Sequence, residues 1–408
     1  MERQIGSVAV VGAGVVGASV ALALAREGHA VRLIDRAEPG TGGASFGNAG
    51  HIATELVEPL PSPALLTSFW RELYALGGPL DIRLGHVGAF LPWALRFRRA
   101  AYRQKLHTPM LAPLVRAGAD TIERWLSAIG RSDLLKRSGH YEIWLDERAA
   151  ERAKSQAAAM TALEIRTENA EPEIVETARR LANASAAAGL WFPDCAHVLD
   201  PLEVVRAFVT AAIEHGATFE KATVNAMHVR GEGVELATDV GTIRADRVVI
   251  CAGAWSAPLL TPFGLKVPLE AARGSHVEIP GAAALVDAPV LYSNEKIVAT
   301  PMTGRLRATS YMEFAGADAP PDPSKGRRLR ERLKKLGFDC PADGPMWTGS
   351  RPVLPDYLPG IGRVPGAPIY YSIGHQHVGL TIATPTAELL TDIMAGRRAA
   401  REFDLQRF

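Results

Sequence analysis

The chain has 408 residues, 47% of them apolar and 22% charged, enough for two domains with sizeable cores and too apolar for a disordered chain. Its 45 Lys and Arg offset 44 Asp and Glu, so it lacks the basic footprint that nucleic-acid recognition needs. Cys195, Cys251 and Cys340 lie far apart with no CxxC pair, which excludes a disulfide framework and a thiolate metal site and fits a reducing compartment.

From Ile5 to Ala25 no residue is charged, a length that by itself would suit a membrane span. Gly12, Gly14 and Gly17 interrupt the run, and Met1, Glu2 and Arg3 are not the basic start of a signal peptide. The pattern predicts a strand over 5–11, a glycine turn at 12–14, a helix over 15–27 stopped by Gly28, and a strand over 30–34 ending at Asp35. Cytoplasmic is therefore the default location. The unit matches a dinucleotide-binding fingerprint. Gly12 permits the tight turn, Gly14 lets backbone approach a pyrophosphate, and Gly17 lets helix and strand pack closely. Val15 and Val16 open the helix, whose amino-terminal amides and dipole favour phosphate. Asp35 stands where a carboxylate binds a ribose hydroxyl and repels a 2′-phosphate, although Arg36 beside it tempers that exclusion. The competing reading of these residues is a glycine-rich packing turn.

Residues 41–50 form a second glycine cluster, too polar for a regular element, which brings Gly43, Ala44, Ser45, Asn48, Ala49 and Gly50 forward as cofactor contacts. Helical patterns occupy much of 62–182, for example 110–129 and 146–163. Within them, 90–102 mixes aromatics with arginines. It reads either as a helix packed with its arginines outward or as a peripheral membrane contact. An apolar strand over 246–253 ends at Ala252 and Gly253, and Val224 precedes it as a further contact. Strand-like runs follow at 265–279, 289–301 and 305–314, and six basic residues within 327–335 predict a solvated helix face. A last strand at 369–373 leads through 374–381 (GHQHVGLT) into an apolar helix closing near Gly396. Its turn supplies Gly374, His375, Val378, Gly379, Leu380 and Thr381. A second glycine turn so far from the first suits a long cofactor spanning a discontinuous domain better than an NAD-linked dehydrogenase, the alternative. His375 and His377 form an HxH pair with no third ligand in view, so no metal is expected. The chain shows no internal repeat or low-complexity tract.

Several motifs together resemble the FAD-dependent D-amino acid oxidase and glycine oxidase family, most closely its D-amino acid dehydrogenase branch. They are the fingerprint with Asp35, 44–50 (ASFGNAG), 273–276 (RGSH), 312–316 (MEFAG), 349–356 (GSRPVLPD) and the 374–381 turn. Residues 60–190 carry no signature. The resemblance implies an α/β fold: a Rossmann-like FAD domain drawn from 1–60, 195–262 and 345–408, and an α+β substrate domain on a mixed or antiparallel sheet from 61–194 and 263–344. It implies dissociable FAD, because the Arg-Pro segment lacks the nearby cysteine of covalent relatives and the nearest thiol is Cys340. It also implies hydride transfer from the α-carbon of a D-amino acid or secondary amino acid to flavin N5, giving an imine that hydrolyses. The electron acceptor is then oxygen or a quinone of a respiratory chain.

By the same resemblance Arg351 holds the substrate carboxylate, since its planar fork matches a carboxylate bidentately. The alternative is an ion pair with Asp356. His377 stands where glycine oxidase has a second arginine, which leaves room for a bulkier or cyclic substrate. His51, Tyr311, Tyr292 and His276 are candidates for the pocket wall, each with a packing or loop role as its alternative. A non-catalytic flavoprotein or electron-transfer subunit is the remaining reading, and oligomeric state stays open.

Overall fold

The computed structural model describes residues 6–282 and 284–408; Ile5, where the first strand is expected to begin, lies outside them. Strand Ser7–Val11 alternates as a strand must. Val8 and Val10 pack with the helix Val15–Arg26, while Ala9 and Val11 pack with residues of 224–245 on the other face. Burial on both faces explains the unbroken apolar run. Gly28 takes φ +90° just past the helix, as the sequence requires.

Six strands make the first sheet, in the order Thr218–Lys221, Ala30–Asp35, Ser7–Val11, Arg247–Ile250, Ile369–Ile373 and Gly360–Arg363. All neighbours are parallel except the last pair. Helices Pro201–Glu214 and Gly379–Met394 flank Val15–Arg26, and an antiparallel sheet of Val224–Arg230, Gly233–Thr238 and Gly241–Ala245 covers the opposite face. The carboxyl ends of the central strands open into the crevice where parallel sheets bind ligands.

A second, nine-stranded sheet is mixed. Its order is Met346–Val353, Glu270–Pro280, Arg305–Phe314, Ile297–Met302, Val290–Tyr292, His140–Trp144, Ala188–Phe192 and Glu168–Asn169, with Leu80–Ile82 beside Arg305–Phe314. Strand Met346–Val353 pairs with Glu270–Pro280, so a boundary drawn at 345 cuts through this sheet. The expected run 289–301 is two strands turning at 293–296, and strand structure begins at Glu270 where 265 was expected. A small antiparallel sheet joins His51–Ile52, Ala196–Val198 and Leu135–Lys136.

Other departures have local causes. The helix expected over 110–129 is two helices, Gln104–Arg116 and Gly118–Ala128, meeting where Gly118 presses against Thr381 too closely for a Cβ. Helix Pro323–Lys335 carries the 327–335 basic cluster, yet Arg330 is buried and donates to Pro345 O, and Arg328 donates to Tyr74 O. Only part of that face is solvated. Helix Val87–Ala101 turns Trp93 inward against Phe90, Phe97 and Phe314, while Leu91 and Leu95 stay exposed. Among the described residues no helix is long and apolar enough to cross a membrane.

Candidate functional site

A cavity of about 700 Å³ opens at the carboxyl ends of the first sheet and extends to the second, within the range of small-molecule and cofactor sites. At one end lies the glycine turn. Gly12, at φ +108°, sits against Cys251 O with no space for a Cβ, so this turn accepts only glycine. Gly17 likewise abuts Gly12 O, letting helix and strand close up; it packs the turn and is absent from the cavity wall. Asp35 Oδ2 accepts from Ala13 N–H at 2.6 Å and Oδ1 from Ala37 N–H at 2.9 Å, so the carboxylate also braces the turn. Ser45 Oγ accepts from Val15 N–H at 2.9 Å, which occupies one first-turn amide, and Gly14, Val15 and Val16 all line the wall. Arg36 stacks on Trp255, 4.0 Å from the ring centre, beside Gly43 and Gly253.

The 42–50 loop is tied to the second sheet by groups the motifs did not single out. Buried Arg307 donates to Asn48 O at 2.6 Å and to Glu278 at 2.6 Å. His276 Nδ1 lies 3.0 Å from Gly47 O while its ring stacks on Trp347, so it anchors the loop and does not line the pocket. Gly43, Ala44, Ser45, Asn48 and Ala49 reach the wall; Gly50, at φ +75°, turns the chain behind it. Val224, Ala252, Gly374, His375, Gly379 and Leu380 also line it. Val378 and Thr381 stand behind, Thr381 accepting from Ala53 N–H at 3.0 Å. His375 is buried against Thr386 Oγ1 at 3.0 Å, and burial depresses its pKa to about 3.

The other end holds Arg351. Its guanidinium donates to Tyr311 O at 3.1 Å, and among the described residues no carboxylate pairs with it. Asp356, the partner considered from sequence, pairs with Arg407 at 2.7 Å. Tyr311 owes its place to a bulge: Arg273 pairs with Glu313 but Ser275 with Ser310, so Tyr311 and Met312 together face Gly274. Tyr311 takes φ +72°, unusual for an aromatic residue, and its buried hydroxyl has no partner among the described residues. Buried Arg273 reinforces the bulge through Glu313 at 3.2 Å. Tyr292, a candidate on the same sheet, is outside the cavity; it packs edge-on against Phe338.

Unsatisfied polar atoms collect on this wall. They include His51 Nε2, Thr309 Oγ1, Gln376 Nε2 and His377 Nδ1. Burial, with Arg351 nearby, holds His377 neutral with a pKa of about 4. Burial also lowers the pKa of His51 well below the usual histidine range. Gln376, at φ +54°, and Lys296, at φ +53°, line the cavity without having been singled out from sequence. Their only signal is backbone strain, which no local motif announces.

The FAD dependent oxidoreductase family profile matches residues 7–393. The chain belongs to this family. It is 29% identical over 411 residues to a D-amino-acid oxidase of Bradyrhizobium diazoefficiens, covering 96% of this chain and 95% of that one. A D-amino acid dehydrogenase of Paramagnetospirillum magneticum is 29% identical over 412 residues, covering 97% of each. The fold is similar to glycine oxidase from Geobacillus kaustophilus, with TM-score 0.72, 22% identity and 99% of each chain covered. L-Proline dehydrogenase from P. horikoshii gives TM-score 0.72 at 18% identity, with 100% of this chain and 98% of that one covered.

The residues present fit FAD, the cofactor of the family. A Cβ at Gly12 would fill the phosphate-side turn, a carboxylate stands at the ribose end, and unpaired polar groups line the far end. The enzyme is an FAD-dependent oxidoreductase.

Proposed function

We propose that the enzyme oxidatively deaminates an amino acid, with Arg351 holding the substrate carboxylate. One observation carries this reading: a guanidinium enclosed by protein, facing the cavity, without a paired carboxylate among the described residues. Burial lowers its pKa, yet arginine keeps its charge, and a buried unpaired charge is costly until an anion arrives. Tyr311 steadies the guanidinium through its main-chain oxygen, while its ring packs against Tyr74. Bound FAD supplies the acceptor for the hydride leaving the substrate α-carbon. Gly12, Gly14, Val16, Asp35 and the 374–380 turn would hold it. The protein's task is orientation: it fixes the carboxylate and keeps His377 neutral, so no second positive charge opposes a secondary or cyclic amine. A D-amino acid, or a secondary amino acid such as a hydroxyproline stereoisomer, is the substrate class.

The names of the sequence relatives support the D-amino acid reading. Oxygen or a quinone would reoxidise the enzyme, and exposed Leu91 and Leu95 beside Arg98 and Arg99 offer a peripheral contact with an acidic membrane. The FAD segments 1–60 and 195–262, with most of 345–408, would form one domain and the remainder a substrate domain.

Anaerobic mixing with D-amino acids, N-methyl amino acids and hydroxyproline stereoisomers tests the reading. At least one carboxylated amine should bleach the flavin, and the matching amines without a carboxylate should not. No bleaching by any carboxylated amine would leave a non-catalytic flavoprotein.

A further inference from the structure

We infer that His51, Glu55, His140 and Cys195 form a binding site for a divalent cation of the zinc class, beside the flavin cavity. Glu55 is the meeting point. Its Oε2 accepts from Cys195 Sγ at 3.0 Å, while Oε1 lies 3.8 Å from His51 Nε2 and 4.0 Å from His140 Nε2. The ligand atoms of His51, Glu55 and Cys195 all lie within 4.8 Å of one another. His140 and Cys195 are buried, and the side chains of His51 and Glu55 are only 9% exposed. An independent observation points to a ligand: His51 Nε2 is buried without a hydrogen-bond partner among the described residues. The His51 and His140 rings lie 4.3 Å apart at 33°, each presenting Nε2 to the same carboxylate oxygen.

Two imidazole nitrogens, a carboxylate and a thiol match the borderline ligand preference of zinc, whereas magnesium and calcium require oxygen. Zinc bonds of about 2.0–2.3 Å set tetrahedral ligand atoms roughly 3.3–3.8 Å apart, so Cys195 Sγ and Glu55 Oε2 must separate slightly while the histidine nitrogens close in. Binding breaks the Cys195 S–H bond, forms a sulfur–metal bond and releases the proton to solvent, with no change of oxidation state. The thiolate and carboxylate then cancel the dication, leaving a neutral centre suited to a buried site. Such a centre clamps three distant segments: the strand end following the 42–50 flavin loop, strand His140–Trp144 of the second sheet, and the turn before Ala196–Val198. The sequence hides it because no two ligands except His51 and Glu55 are neighbours. It is independent of the substrate assignment.

The test uses tag-free, FAD-loaded protein freed of metal by chelator and re-equilibrated with Zn²⁺ or Co²⁺ separately. Elemental analysis should find about one Zn²⁺ retained per chain. Co²⁺ should give a thiolate-to-metal charge-transfer band in the difference spectrum. Cys195→Ser should abolish that band, and His51→Ala should abolish stoichiometric retention. Absence of retained Zn²⁺ or of the sulfur band in the unmutated enzyme overturns the site. Undiminished retention in both variants does so too. The cobalt spectrum needs no mutation, so a variant that misfolds does not remove the test.

Discussion

The guanidinium of Arg351 lies against Gly274, so closely that a single methyl group at position 274 would occupy its space. The two residues sit on paired strands, and the bulge opposite Gly274 turns Tyr311 toward the same guanidinium. Gly274 is therefore part of how the arginine is aimed. Gly274→Ala should displace it and lower kcat/KM about 100-fold, as expected for misplacement of a positioning group by roughly 1 Å. Flavin content, read from the absorption spectrum, should stay unchanged.

Arg351→Ala removes the anion's partner altogether. The expected loss in kcat/KM is about 2–5 kcal/mol of transition-state binding, as for truncating one side of a buried charge pair. Arg351→Lys should recover part of it, since a point charge keeps the attraction but loses the fork. Steady-state kinetics with the best amino acid substrate provide the comparison, and a near-normal Arg351→Ala enzyme would remove the assignment.

Tyr311→Phe isolates the hydroxyl. Because that hydroxyl has no hydrogen-bond partner among the described residues, thermal stability should change little. The ring packs on Tyr74 and the hydroxyl lies near Arg328 and Arg332, so kcat/KM should also stay near that of the unmutated enzyme, and a large loss would place the hydroxyl on the substrate. Melting curves and kinetics on the same preparation check both.

Asp35→Ala should weaken flavin binding by about 1.5–3 kcal/mol, the usual worth of a hydrogen bond to a charged group. The carboxylate braces Ala13 and Ala37 as well as facing the cavity, so the turn loosens when it is lost. Flavin release on dilution, followed by fluorescence, measures the change. Affinity equal to that of the unmutated protein would contradict the role.

The buried His375 predicts acid sensitivity. Its folded pKa of about 3 lies below the ordinary 6.5, so between these values the unfolded chain binds more protons and stability falls as pH falls. Above 6.5 this contribution is flat. His375→Asn should make the acid side of the profile of unfolding free energy against pH less steep, while buried His140, His197, His276 and His377 keep the rest of the slope. An unchanged slope would show that the imidazole does not titrate in this way.

Local geometry was legible in the amino-acid order alone. A continuous apolar run and glycines at 12, 14 and 17 specify a strand, a turn and a helix through short-range sterics, and the structure has them in those places. The motif at 349–356 likewise led to Arg351 without knowledge of its surroundings. Tertiary structure alone decided which polar groups lack partners. Tyr292 and Tyr311 are both strand tyrosines of one sheet, yet only Tyr311 reaches the cavity, because a bulge shifts register at that point. A shift of one residue reverses the side a strand residue faces, and it depends on the partner strand, not on local composition. His51, Glu55, His140 and Cys195 follow the same logic, as do Arg307 and the loop it holds. Their meeting is set by the pairing of distant segments, which no local periodicity encodes.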